Sequence, residues 1–129
     1  MKPLLYPLLA ASALLGACAP LHPSPPLGVT ELAERPAEKA LLAGIRAYED
    51  AHYDESERQL NRALQAGLAS PKDQAAAHKY LAFIYCTSRR TAQCEAAFRA
   101  ARQADPAFAL GKSEVGHPLW GPVYARTAR

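Results

Sequence analysis

Apolar residues recur at three- and four-residue spacing in four successive stretches between Pro36 and Asp105, and no stretch alternates long enough to indicate a strand. This spacing places the apolar side chains of each stretch on one face of a helix. Alanine supplies much of the apolar content and favours helix over strand. The pattern predicts an all-α domain.

Turn and capping residues predict the first two helix boundaries. Pro36 suits the first position of the first helix, because its missing N–H would have no partner there. Asp54 with Glu57 three residues later forms a box that caps the second helix, and Gly67 is a typical C-terminal stop.

Later boundaries follow from the same signals. Ser70 is expected to cap a third helix, which carries the widest apolar face of the chain and should lie at its centre. Thr91 is expected to cap the fourth helix, after a turn at residues 88–90. A fifth helix is expected from Pro106, with Asp105 as its N-cap.

The stretch from His78 to Pro106, HKYLAFIYCTSRRTAQCEAAFRAARQADP, resembles a tetratricopeptide repeat. Small residues at Ala82 and Cys94 would let two helices approach closely, and aromatic residues at Tyr85 and Phe98 would fill the wedge between them. A weaker copy lies 38 residues earlier, which superposes one set of positions on the other: Gly44 on Ala82, Ser56 on Cys94, Leu60 on Phe98 and Ala63 on Ala101. The resemblance implies about two tetratricopeptide-like hairpins, a C-terminal capping helix and an irregular tail. The alternative is an ordinary amphipathic hairpin with coincidental spacing.

The tail after residue 113 is aromatic and is interrupted by two glycines and two prolines, so no long helix is expected there. Repeat arrays need a cover for their last apolar face. We expect the tail to form it with these side chains: Phe108, Leu110, Leu119, Trp120, Val123 and Tyr124. The rival interpretation makes Trp120 an exposed anchor for a partner.

The first residues read as a targeting signal. Lys2 precedes a short apolar run, and Leu15-Gly16-Ala17-Cys18 resembles the lipobox of bacterial lipoproteins. This predicts a signal peptide at 1–17, lipidation at Cys18, a proline-rich tether over 18–29 and a helical domain over 30–129. A plain cleaved signal peptide is the alternative. The absence of aspartate after Cys18 favours the periplasmic side of the outer membrane over the inner membrane.

Of the three cysteines, only Cys86 and Cys94 remain once Cys18 is lipidated. An even pair in an oxidising compartment favours a structural disulfide, with two buried thiols as the alternative. The formal net charge of +3 is too small to imply a nucleic acid or another polyanion as partner.

No catalytic or metal-binding pattern stands out in the sequence, because the histidines lie apart and no phosphate loop or nucleophile motif is present. We therefore expect no enzyme activity, no cofactor, no metal and no small-molecule substrate. A stacked repeat instead offers a concave face for a protein partner. The candidate contact residues on the first and third helices are Tyr48, His78 and Tyr80.

Four segments, YLAFIYC, CEAAFRAA, DPAFAL and the closing GHPLWGPVY, resemble the TssQ-type lipoproteins associated with bacterial type VI secretion. The similarity covers about residues 40–124, and the GHPLWGP tail beside the paired cysteines is its specific part. It implies a non-catalytic accessory lipoprotein that contacts an envelope or secretion-apparatus protein. The alternative is a repeat lipoprotein that scaffolds general envelope assembly or peptidoglycan enzymes.

Overall fold

The computed structural model describes Gly28 and residues 35–128. Its helices are α1 (Pro36–Glu49), α2 (Tyr53–Ala66), α3 (Pro71–Thr87), α4 (Thr91–Ala104), α5 (Lys112–Val115) and α6 (Gly121–Arg126). These residues contain no strand, so the all-α prediction is confirmed. None of the described helices is long and apolar enough to cross a membrane. The predicted signal peptide, Cys18, the tether apart from Gly28 and the turn expected after Thr30 lie outside the described residues.

Two helical hairpins form the body of the domain. α1 packs against α2 and α3 packs against α4, while α3 also contacts α1 and α2. The buried residues of α3 lie all round the helix rather than on one stripe: Ala75, Ala77, Leu81, Ala82, Phe83, Ile84 and Cys86. The prediction that the third helix lies at the centre is confirmed.

The expected helix starts are right at Pro36 and Pro71 and wrong by one or two residues elsewhere. Ser70 caps α3 as predicted, since its Oγ accepts the N–H of Asp73 at 3.4 Å. Asp54 does not cap α2, because the helix already begins at Tyr53 and has no side-chain cap. Thr91 is likewise the first residue of α4 and not its cap.

The turn inside each hairpin explains these two misses. Ala51 and Arg89, which lie 38 residues apart, both have a left-handed backbone, with φ of 60° and 63°. The residue after each then donates its N–H five residues back, His52 to the Ala47 carbonyl at 2.7 Å and Arg90 to the Tyr85 carbonyl at 2.8 Å. Backbone geometry alone reverses the chain here, so the next helix begins without a side-chain cap.

The helices of the first hairpin approach most closely at Gly44. The hydroxyl of Ser56 donates to the Gly44 carbonyl at 2.7 Å, and a Cβ on Gly44 would lie 2.8 Å from the side chain of Leu60. The equivalent positions of the second hairpin, Cys94 and Phe98, are as fully buried as Ser56 and Leu60. Both hairpins thus bury the same positions of the 38-residue period.

The fifth helix expected from Pro106 is absent. Asp105 instead forms a turn, in which its Oδ1 accepts the N–H of Ala107 at 3.0 Å and its carbonyl accepts that of Phe108 at 2.9 Å. Asp and Pro suit such a side-chain turn as well as a helix start. The next helix is α5, a single turn that begins at Lys112.

The tail covers α3 and α4, as the capping interpretation predicts. Trp120 is 9% exposed, and its ring stacks on that of Phe83 with centroids 4.1 Å apart. Leu110 and Val123 are buried with it, but Leu119 is 52% exposed and was wrongly included in the cover. The Trp120 side chain belongs to the core, and the interpretation of Trp120 as an exposed anchor does not agree with its burial.

Candidate protein-binding face

The structure separates the residues expected to share one face. The rings of Tyr48 and Tyr80 touch, with centroids 5.0 Å apart. His78 lies elsewhere, in a groove between α2 and α4. Residues two apart on a helix point about 200° away from each other, so His78 and Tyr80 cannot serve the same face of α3. The predicted three-residue contact set is wrong for His78.

A third tyrosine joins the pair instead. The ring of Tyr53, the first residue of α2, meets that of Tyr48 edge to face with centroids 5.5 Å apart. Tyr53 is 47% exposed, whereas Tyr48 and Tyr80 are half-buried. We call Tyr48, Tyr53 and Tyr80 together the tyrosine face. Its position directly after the hairpin turn was the signal in the sequence for Tyr53.

The hydroxyl groups of the tyrosine face remain available. None of the three makes a hydrogen bond within the part of the chain that the structure describes, and no buried side-chain oxygen there lacks a partner. Burial raises the pKa of Tyr48, and the nearby Tyr53, Tyr80 and Glu114 raise it further. Its hydroxyl is therefore neutral at physiological pH and can both donate and accept.

An ion pair between α3 and α5 borders this face. Lys79 Nζ lies 2.9 Å from Glu114 Oε1 and 4.9 Å from the centroid of the Tyr80 ring. Glu114 Oε2 also accepts the N–H of Gly111 at 2.8 Å. Burial alone would raise the pKa of Glu114, but the hydrogen bonds from Lys79 and Gly111 outweigh it and lower that pKa. The pair holds the start of the tail against α3.

A second set of contacts locks the rest of the tail. The indole Nε1 of Trp120 donates to the Glu114 carbonyl at 2.9 Å, and the His117 ring stacks on Trp120 with centroids 3.3 Å apart. The hydroxyl of Tyr124 accepts the N–H of Leu110 at 3.2 Å. The guanidinium of Arg102 covers the Tyr124 ring at 4.4 Å. The rigid side of the tyrosine face is thus built by residues far apart in sequence.

The two remaining cysteines meet at the turn between α3 and α4. The sulfurs of Cys86 and Cys94 lie 2.04 Å apart, at bonding distance, and both residues are buried. The bridge would join the last turn of α3 to the first turn of α4. It lies behind the tyrosine face and contributes to the frame rather than to the surface.

No cluster of three or more histidine, cysteine or acidic side chains suited to a metal ion occurs among residues 35–128. Comparison with known proteins gives no match to a protein family, a curated protein or a solved structure. Interpretation of the site therefore depends on its own geometry.

Proposed function

We propose that this chain is a non-catalytic protein-interaction module built on tetratricopeptide-like hairpins. In this proposal it is anchored through a lipidated Cys18 to the periplasmic side of the outer membrane and serves as an accessory of the type VI secretion system. The lipobox-like tetrad and the GHPLWGP tail support the cellular part of the proposal. The tyrosine face supports the binding part.

The observation that carries the binding role is the combination of ring packing and available hydroxyls. Tyrosine gives a partner a large apolar surface and a polar group at its edge, which is why it is enriched at binding hot spots. Here edge-to-face contacts fix the rings of Tyr48 and Tyr80, so a partner would order few side chains. Tyr53 then provides the exposed entry to the surface.

Photo-crosslinking in cells tests the proposal. A crosslinking amino acid at Tyr53 or Tyr80 of the full chain is expected to capture a component of the secretion apparatus. The same group at Gln65, an exposed residue of α2 outside the tyrosine face, serves as the control. Capture of peptidoglycan enzymes or of assembly factors would favour the general envelope role. Equal yields from Tyr53 and Gln65 would contradict a binding role for this face.

A further inference from the structure

A second concave surface lies between α2 and α4. Its floor is the side of α3 that carries His78, Leu81 and Tyr85, and its volume is 320 Å³. The walls come from Asn61 and Leu64 on α2 and from the α4 residues Gln93, Ala96, Ala97 and Ala100. His78 and Tyr80 point in nearly opposite directions on α3. This α2–α4 groove is therefore separate from the tyrosine face.

The lining of the α2–α4 groove carries no charge. None of its nine residues is acidic, lysine or arginine. Burial lowers the pKa of His78, so its imidazole is neutral at pH 7. A charged group brought into contact with this lining would lose its water without gaining an ionic partner, which is costly. The electrostatics therefore select an occupant whose contacting face is uncharged.

The groove also offers fixed polar groups that lack protein partners. His78, Gln93 and the Tyr85 hydroxyl make no hydrogen bond within the described residues. The Tyr85 ring is held by the guanidinium of Arg90, which lies 4.6 Å from its centroid. Arg90 in turn binds both carboxylate oxygens of Glu57 on α2, at 3.0 and 2.7 Å. One end of the groove is thus fixed before anything binds.

The shape of the groove is long and shallow. Its α4 wall follows residues 93, 96, 97 and 100, the spacing of one helix face over two turns, or about 10 Å. Alanine at three of these positions allows a second helix axis to approach within about 8–10 Å. We propose that the α2–α4 groove binds a helix of two to three turns from a partner protein, through a face that carries apolar and uncharged polar side chains.

Site-specific crosslinking on the full chain in cells tests this inference. A photoreactive residue at Gln93 is expected to capture one helical segment of another protein, whose sequence is read from the crosslinked peptide by mass spectrometry. Ala96→Glu introduces a charge into the groove and is expected to lower the yield about tenfold or more. Ala43→Glu is the matched control at another exposed alanine, on α1, and should leave the yield unchanged. Both positions are exposed, so neither change burdens the core.

Three outcomes would overturn the proposal. They are capture of a second copy of this chain, capture of a segment with charged residues at the contacting positions, and a yield that Ala96→Glu does not lower. Tyr53→Ser separates this inference from the proposed function. It removes the exposed ring of the tyrosine face and is expected to leave the Gln93 crosslink intact, whether or not the tyrosine face binds the secretion apparatus.

Discussion

Replacing Gly121 with alanine is expected to lift α6 away from the end of α5. A Cβ at Gly121 would lie 2.5 Å from the carbonyl oxygen of Val115, a distance that only movement of the backbone can relieve. The residues next to Gly121 are Trp120, stacked on Phe83, and Val123 in the core. Any shift of α6 therefore loosens the packing of both.

Overpacking of this kind costs about 1–3 kcal/mol. Alanine at the first position of a helix would return only part of its intrinsic advantage over glycine, about 1 kcal/mol in a helix interior. A net loss of about 1–2 kcal/mol corresponds to a fall in melting temperature of roughly 5–15 °C for a domain of this size. Gly116→Ala is the matched control, since no atom lies within 4 Å of its added Cβ and its φ of −83° suits alanine.

The assay combines thermal unfolding with fluorescence of the single tryptophan. In the wild-type protein, emission of Trp120 should be blue-shifted and poorly quenched by acrylamide. Gly121→Ala should shift the emission to the red, increase quenching and lower the melting temperature, whereas Gly116→Ala should change none of these. If both variants behave alike, or if Gly121→Ala leaves quenching and melting unchanged, the tail does not cap the repeat in the way described.

Four further predictions address other parts of the chain. Mass spectrometry of the mature protein should find an acylated N-terminal Cys18, and a free N-terminus at another residue would contradict lipidation. Cys86 and Cys94 should resist alkylation until reduced, and reduction should destabilise the domain by about 2–3 kcal/mol, because a short loop loses its closure; reaction of both thiols without reductant would exclude the bridge. Ala51→Gly should raise stability by up to about 1 kcal/mol by relieving the left-handed backbone, as measured by denaturant unfolding, and a decrease would show that the turn is unstrained. Because the folded pKa of Glu114 is lowered, its stabilisation is present at neutral pH and is lost as the pH falls through that pKa, so Glu114→Gln should flatten the acid limb of a pH–melting curve and an unchanged limb would argue against the Lys79 pair.

The helical pattern was readable because burial in this domain follows the three-and-four spacing closely. The periodic stretches yield α1 to α4 within one or two residues at each start, and the 38-residue shift pairs Ser56 with Cys94 and Leu60 with Phe98. These properties depend on which side chains are small or large along each helix. They do not require knowledge of distant contacts.

The errors arose where distant contacts decide the structure. Asp105 and Pro106 fit both a helix start and a side-chain turn, and the turn is found. The backbone N–H of Leu110 is bonded to the hydroxyl of Tyr124, fourteen residues later, so it needs no helical partner. The tyrosine face depends on the hairpin turn in the same way, because only the three-residue connection brings Tyr53 against Tyr48. The placement of His78, by contrast, was avoidable from helical geometry alone.

The link between the hairpins shows why the period is 38 residues instead of the 34 of a tetratricopeptide repeat. Within each hairpin, the turn is short and fixed by Ala51 or Arg89, so the extra length must lie between α2 and α3. There Gly67 ends α2 with a φ of 87°, and Leu68 turns into the core. The side chain of Gln74 donates to the Leu68 carbonyl at 2.8 Å, which ties the link to the second turn of α3. The added residues are therefore packed and bonded, and they fix the spacing of the two hairpins that the α2–α4 groove requires.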